Sequence, residues 1–248
     1  MSRAEQIAAL KASAYAHRGL HDSAVPENSL ASFRAAIAAG LGIECDIRKS
    51  SDGRAVVFHD ADLERMTGRA GPTAASPVGE LTRMMLTGSE EPIPTLRDVL
   101  DLVNGQVPLL LEIKSDDRRP IDAICRAVRR DLDGYRGAAG VMSFDPRVSR
   151  WFAANEPDCP RGLVMTQQNA RTLTGAIKRR LSIVTARPDF LALDIRDLPS
   201  SLSRAQGRKG RALFSWTVRT AAQLDTALES GAVPIMEAAG VAAWQGGA

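Results

Sequence analysis

Short apolar runs alternate with longer amphipathic segments along this chain, a pattern that implies parallel strands joined by crossover helices. Eight runs read as strands: Ala14–His17, Ile43–Arg48, Pro108–Lys114, Gly140–Phe144, Gly162–Thr166, Phe190–Asp194, Ala212–Thr217 and Ala232–Glu237. Asn28 or Ser29 can cap a helix over Leu30–Ala39, Thr95 one over Leu96–Val103, and Thr220 one over Ala221–Ser230. Gly40 and Gly231 then fall where a helix C-terminus favours a positive φ. Every strand except the last is followed by a segment able to form a helix. Within Asp52–Asp60 an Asp-Gly pair precedes Arg-Ala-Val-Val-Phe, so strand two is expected to turn into an excursion outside the main sheet. Gly68–Pro94 is rich in Gly and Pro and reads as a loop with one short helix near Glu80–Leu86. The alternation suits either an open doubly wound sheet or a closed (β/α)8 barrel. The positions of the polar residues favour the barrel.

The length of 248 residues matches the roughly 250 of such a barrel, and residues 1–248 read as one domain. With 44% hydrophobic and 25% charged residues, a sizeable core is expected and disorder is not. The net charge of +3 is spread along the chain without a basic block, which gives no support to nucleic-acid binding. Cys45, Cys125 and Cys159 are odd in number and widely spaced, so neither a disulfide framework nor a cysteine zinc site is indicated. Glu5, Gln6 and Lys11 interrupt what a signal peptide would need as an apolar run, and no stretch of about 18 apolar residues offers a membrane span. A soluble cytoplasmic protein is expected.

Charged or imidazole side chains gather at the carboxyl ends of the first three strands: His17 and Arg18, Glu44 and Asp46, Glu112 and Lys114. In a barrel those ends converge on one face. Because strand side chains alternate, the pairs Glu44/Asp46 and Glu112/Lys114 each share one face and can point into one mouth. An edge strand facing water would also account for Ile-Glu-Cys-Asp-Ile. However, charges interrupting the apolar run Leu109–Ile113 are costly to bury unless paired or metal-bound. Three carboxylates suit one hard divalent cation, Mg2+ or Ca2+. All three histidines, at positions 17, 21 and 59, lie in the first 59 residues, and the outer two flank the strand-two carboxylates. Imidazole suits proton transfer near neutral pH. His17 and His21 have zinc-like spacing, but Gly19 and Pro26 argue against one helix presenting both.

His17-Arg18-Gly19, Pro26-Glu27-Asn28-Ser29, Glu44-Cys45-Asp46-Ile47, Ser51-Asp52-Gly53 and Val57-Phe58-His59-Asp60 follow one another in that order. Leu111-Glu112-Ile113-Lys114, Ser143-Phe144-Asp145-Pro146 and Ser215-Trp216-Thr217-Val218 come later. Together these stretches resemble the glycerophosphodiester phosphodiesterase family, densely as far as Lys114. The resemblance implies a (β/α)8 barrel that uses a divalent metal to hydrolyse small-molecule glycerophosphodiesters to sn-glycerol 3-phosphate and an alcohol. It implies Glu44, Asp46 and Glu112 as metal ligands and His17 and His59 as the acid/base pair. Arg18 and Lys114 would assist at the phosphate, and Phe144 and Trp216 would wall the pocket. Glu27 is expected at the site, as a further ligand or as an orienting residue for the first loop.

Two departures stand out. The last strand reads Pro234-Ile235-Met236-Glu237-Ala238-Ala239-Gly240, where the family commonly carries an Asp-containing motif. The stretch after Gly68 is also short beside members with a small inserted domain. Two rival readings follow. One is a phospholipase D-like activity on lysophospholipids or sphingomyelin, with Met84, Met85 and Leu86 touching an acyl chain. The other is a catalytically silent barrel that binds phosphorylated ligands.

Overall fold

The computed structural model describes residues 1–115, 120–168 and 171–247. Its strands are β1 (Tyr15–His17), β2 (Gly42–Lys49), β3 (Ala55–Val57), β4 (Leu109–Ile113), β5 (Ala139–Ser143), β6 (Arg161–Met165), β7 (Phe190–Asp194), β8 (Ala212–Val218) and β9 (Ala232–Met236). The sheet runs β1-β9-β8-β7-β6-β5-β4-β2-β3, and a further β1–β2 pairing closes it into a barrel. All pairings are parallel except that of β3, which folds back antiparallel on β2 as the expected excursion. The fold is the (β/α)8 barrel expected from the alternation together with the positions of the polar residues, with helices between the strands.

Strand parity divides the apolar residues into two cores. Tyr15, Leu110, Met142, Phe190, Ala192, Phe214 and Ile235 point inward and fill the barrel. Their neighbours Ile43, Cys45, Ile47, Leu109, Leu111 and Ile113 point outward, where helices Leu30–Ala38 and Leu96–Val103 cover them. At the amino ends of the strands the interior is filled by large side chains set against glycines. A Cβ on Gly162 would lie 2.1 Å from the Phe190 ring, so that position has no room for a side chain.

Several elements depart from the sequence expectation. A helix over Arg3–Lys11 precedes the barrel, closed by a reciprocal cap between Ser2 and Glu5. Its Leu10 is fully buried in the interior cluster, and its carbonyl accepts from the Tyr15 hydroxyl at 2.8 Å, so this helix stoppers the barrel floor. The last strand does have a helix after it, Ala239–Gly246, because Gly240 lets the chain pass against the Val218 carbonyl, 2.2 Å from where a Cβ would stand. The short helix expected near Glu80–Leu86 ends earlier, at Val78–Leu81, with a small helix at Glu64–Thr67 before it. That excursion makes its own apolar cluster from Val56, Phe58, Leu63, Leu81, Met84, Leu86 and Ile93. Of the three residues offered for an acyl chain, Met84 and Leu86 are therefore buried, and Met85 alone is exposed.

Candidate active site

The site extends the interior parity past the apolar layers to the carboxyl ends of the strands. His17 follows Tyr15 on β1, Glu112 follows Leu110 on β4, Asp194 follows Ala192 on β7, and Trp216 follows Phe214 on β8. Phe144 and Glu237 come one residue beyond the ends of β5 and β9 with the same parity. Register then sets them side by side: His17 pairs with Glu44, and Asp46 with Glu112. Most of these residues face a cavity of about 440 Å3 whose lining includes His17, Arg18, Glu44, His59, Glu112 and Lys114, with Asp46 and Glu237 behind it.

Glu44, Asp46 and Glu112 are buried, and each offers a carboxylate oxygen within 4.8 Å of those of the other two. Lys114 donates from Nζ to Asp46 Oδ1 at 2.8 Å and also bonds Glu112. Arg18 sets its Nε 3.1 Å from Asp46 Oδ2 and donates its backbone N–H to Glu44 at 3.1 Å. Burial, with the Asp46 charge beside it, raises the Glu44 carboxyl to about 7. Burial also works upward on Asp46, but the Lys114 ammonium and the Arg18 guanidinium outweigh it and hold that carboxyl low. A buried all-oxygen cluster whose carboxylates repel one another suits a hard divalent cation, which would offset that repulsion. The three residues fit such an ion.

The backbone of the first loop is built for close approach. Arg18 and Gly19 have φ of 58° and 80°, and a Cβ on Gly19 would stand 2.3 Å from Ser32 Oγ. The loop also brings Asn28 to Asp46: its Nδ2 donates to Oδ2 at 3.0 Å, and its Oδ1 accepts the Asp46 backbone N–H at 3.2 Å. Glu27 accepts from Arg18 Nη1 at 2.9 Å and from Arg65 Nη2 at 2.7 Å. It lies outside the three-carboxylate group and is bonded to the Arg18 guanidinium instead.

Each outer histidine carries a carboxylate on Nδ1. His17 Nδ1 lies 2.7 Å from Glu237 Oε2, and His59 Nδ1 lies 2.6 Å from Asp60 Oδ1. A carboxylate there accepts Nδ1–H and leaves Nε2 as the working nitrogen. Burial lowers the His17 imidazole, but the Glu237 hydrogen bond and the Glu44 charge more than compensate, so its pKa lies above the usual value. His59 lies below the usual value, lowered first by burial and then by Lys114 and Arg18, against the upward pull of Asp46 and Asp60. His21 comes within 3.9 Å of Glu237 and stands apart from the carboxylate cluster.

Phe144 and Trp216 meet edge to face, centroids 5.4 Å apart at 80°, and form an apolar wall of the cavity. The Trp216 indole donates to the Ala192 carbonyl at 3.1 Å, which fixes the ring. Sequence reasoning missed Glu237, Asp60 and Asn28 as partners of named residues, and it missed Arg196 and Arg219 on the cavity lining. Arg196 forks onto Asp194 at 2.9 and 2.6 Å, and Arg219 pairs with Glu237. The strand-nine sequence that departs from the family pattern thus supplies the carboxylate behind His17.

A family model described as the glycerophosphoryl diester phosphodiesterase family matches residues 17–237. The chain belongs to this family. Glycerophosphodiester phosphodiesterase 1 of Bos taurus is 28% identical over 196 residues, covering 75% of this chain and 58% of its own length. The Homo sapiens protein of the same name is 31% identical over 147 residues, covering 55% of this chain and 44% of its own. The chain thus spans about half the length of these relatives. Among solved structures, an Oleispira antarctica phosphodiesterase in complex with the product sn-glycerol-3-phosphate superposes with a TM-score of 0.81 at 21% identity, over 93% of this chain and 94% of that one. At that identity the likeness speaks for the barrel fold.

Proposed function

We propose that the protein is a divalent-metal-dependent phosphodiesterase that hydrolyses glycerophosphodiesters to sn-glycerol 3-phosphate and an alcohol. The observation that carries this reading is the pair of carboxylate-backed imidazoles set around a buried three-carboxylate cluster in one cavity. The family supports the same chemistry.

Glu44, Asp46 and Glu112 would hold one ion, Mg2+ or Ca2+. When bound, it offers Lewis-acid contact to a non-bridging phosphoryl oxygen and offsets charge that builds in the transition state. Arg18 and Lys114 add fixed positive charge beside the phosphate, and Arg196 and Arg219 extend it along the lining. His17, with Glu237 behind it, takes the proton from the attacking oxygen, which is water, or else the substrate's own glycerol hydroxyl, in which case a cyclic phosphate forms and water then opens it to sn-glycerol 3-phosphate. His59, with Asp60 behind it and a pKa below the usual value that makes its imidazolium the stronger acid of the two, gives a proton to the departing alkoxide as the P–O bond breaks. Phe144 and Trp216 offer the apolar surface for the glycerol or alcohol carbons.

Among the described residues no helix is long and apolar enough to cross a membrane. All three cysteines are free thiols, which supports a reducing, cytoplasmic setting. The burial of Met84 and Leu86 removes most of the apolar surface on which the lysophospholipid reading relied.

The test is turnover of a panel of glycerophosphodiesters and lysophospholipids with Mg2+, Ca2+ or Mn2+, with and without EDTA. Release of sn-glycerol 3-phosphate that chelation abolishes supports the reading. Preference for lysophospholipids would move it to the rival enzyme, and no turnover with any cation would leave a silent barrel.

A further inference from the structure

Helix Leu173–Ala186 lies on the outer ring of the barrel after β6, so its first turn starts at the mouth end of the strands. Little of it is packed: Gly175 and Ala186 are its only buried described residues. On the opposite side Leu173, Ile177, Leu181 and Val184 are 80%, 53%, 60% and 68% exposed. Their spacing of four, four and three keeps them on one stripe about 80° wide. Four large apolar side chains in a row on the solvent side of a helix lack the partner that such a row implies.

The surrounding charge identifies that partner. Residues 171–188 contain Arg171, Lys178, Arg179, Arg180 and Arg187 with no Asp or Glu. Lys178 and Arg180 flank the stripe on its two sides by helical position. Beside the helix runs a groove of about 800 Å3, lined by Arg179, Arg180, Arg187, Lys209 and Arg211, and among the described residues no carboxylate lines it. A second copy of this face would bring like charges together, which disfavours self-association through it. An apolar ridge with basic flanks and a basic groove complements an anionic lipid surface, with apolar side chains in the acyl boundary and cations among the headgroups.

We propose that the outward face of helix Leu173–Ala186, with the adjoining basic groove, docks the protein on anionic bilayers. Because the stripe runs from Leu173 at the mouth end to Val184 towards the floor, docking lays the flank of the barrel on the bilayer. The proposal rests on this helix and the groove beside it and does not depend on the reaction assigned to the cavity.

The test is flotation of the full chain with vesicles of phosphatidylcholine alone or with about one-third phosphatidylglycerol. The expected result is flotation with the anionic vesicles only, weakening as salt is raised. The variant carrying Leu173→Ser, Ile177→Ser, Leu181→Ser and Val184→Ser should partition at least about tenfold less. Lys178→Glu with Arg180→Glu should abolish the preference for anionic lipid. If the fourfold variant fails to fold by circular dichroism, Leu173→Ser alone and the charge pair carry the same test. Absence of flotation, equal flotation with both vesicles, or variants that float like the parent would overturn the proposal. So would a concentration-dependent dimer, without flotation, that the apolar variant abolishes, since the stripe would then be a protein interface.

Discussion

Asp60→Asn isolates what the carboxylate behind His59 does. Asp60 Oδ1 lies 2.6 Å from His59 Nδ1, while its other oxygen is bonded by the Arg65 guanidinium. Removing the charge leaves the shape, and the His59 imidazolium loses a charge-assisted hydrogen bond worth about 1.5–3 kcal/mol. His59 and Asp60 keep 32% and 22% of their side-chain surface exposed, so solvent screening favours the low end, about 1.5 kcal/mol. That is about one pKa unit. A general acid must be protonated to act, so the alkaline limb of kcat/KM against pH should move down by about one unit, with about tenfold less activity above the limb. The loss should be small on a substrate with a nitrophenolate leaving group, which departs without a proton. The lost Asp60–Arg65 pair is half exposed on the arginine side and contributes about 0–1 kcal/mol, so the variant should stay folded. An unmoved limb, or an equal loss on the nitrophenyl substrate, would refute the assignment of His59 as the acid.

His17→Ala and His59→Ala should each lower kcat by about 100-fold or more on glycerophosphodiesters, with metal affinity by calorimetry nearly unchanged. Of the two, only His59→Ala should recover on the nitrophenyl ester. Glu237 is held at about 2 by its bonds to His17 and Arg219, against the upward effect of burial. A depressed carboxyl stabilises the fold above its unfolded value of 4.5, and that contribution is lost as pH falls towards about 2. Melting curves of the parent and Glu237→Gln should therefore differ most above pH 4.5 and converge as pH falls towards about 2. Gly162→Ala should cost about 1–3 kcal/mol in urea denaturation, because its Cβ meets the Phe190 ring.

Much of the site was legible in the sequence because strand parity is simple. Once Leu110 is inward, Glu112 must be, and once Glu44 is inward so is Asp46. Register was not legible. Nothing in a linear pattern says that Asp46 stands opposite Glu112, or that β9 closes beside β1 and delivers Glu237 to His17. Asp60 was within reach, as the direct neighbour of a singled-out histidine, but its hydrogen bond depends on a local turn. Of the two residues offered as the helix cap, Ser29 takes the role, while Asn28, at positive φ, turns to Asp46, a contact that the sequence does not show. The first helix escaped notice because one fully buried residue, Leu10, gives it no periodic stripe. Periodicity fails in the opposite way on helix Leu173–Ala186, whose apolar row faces solvent.

The cation site itself is tested most directly by calorimetric titration of Mg2+ and Ca2+ into the parent protein and into Glu44→Gln, Asp46→Asn and Glu112→Gln. The account predicts a single tight site in the parent, its loss in each variant with the fold retained, and a cation-induced rise in melting temperature in the parent only. Unchanged metal affinity in all three variants would contradict it.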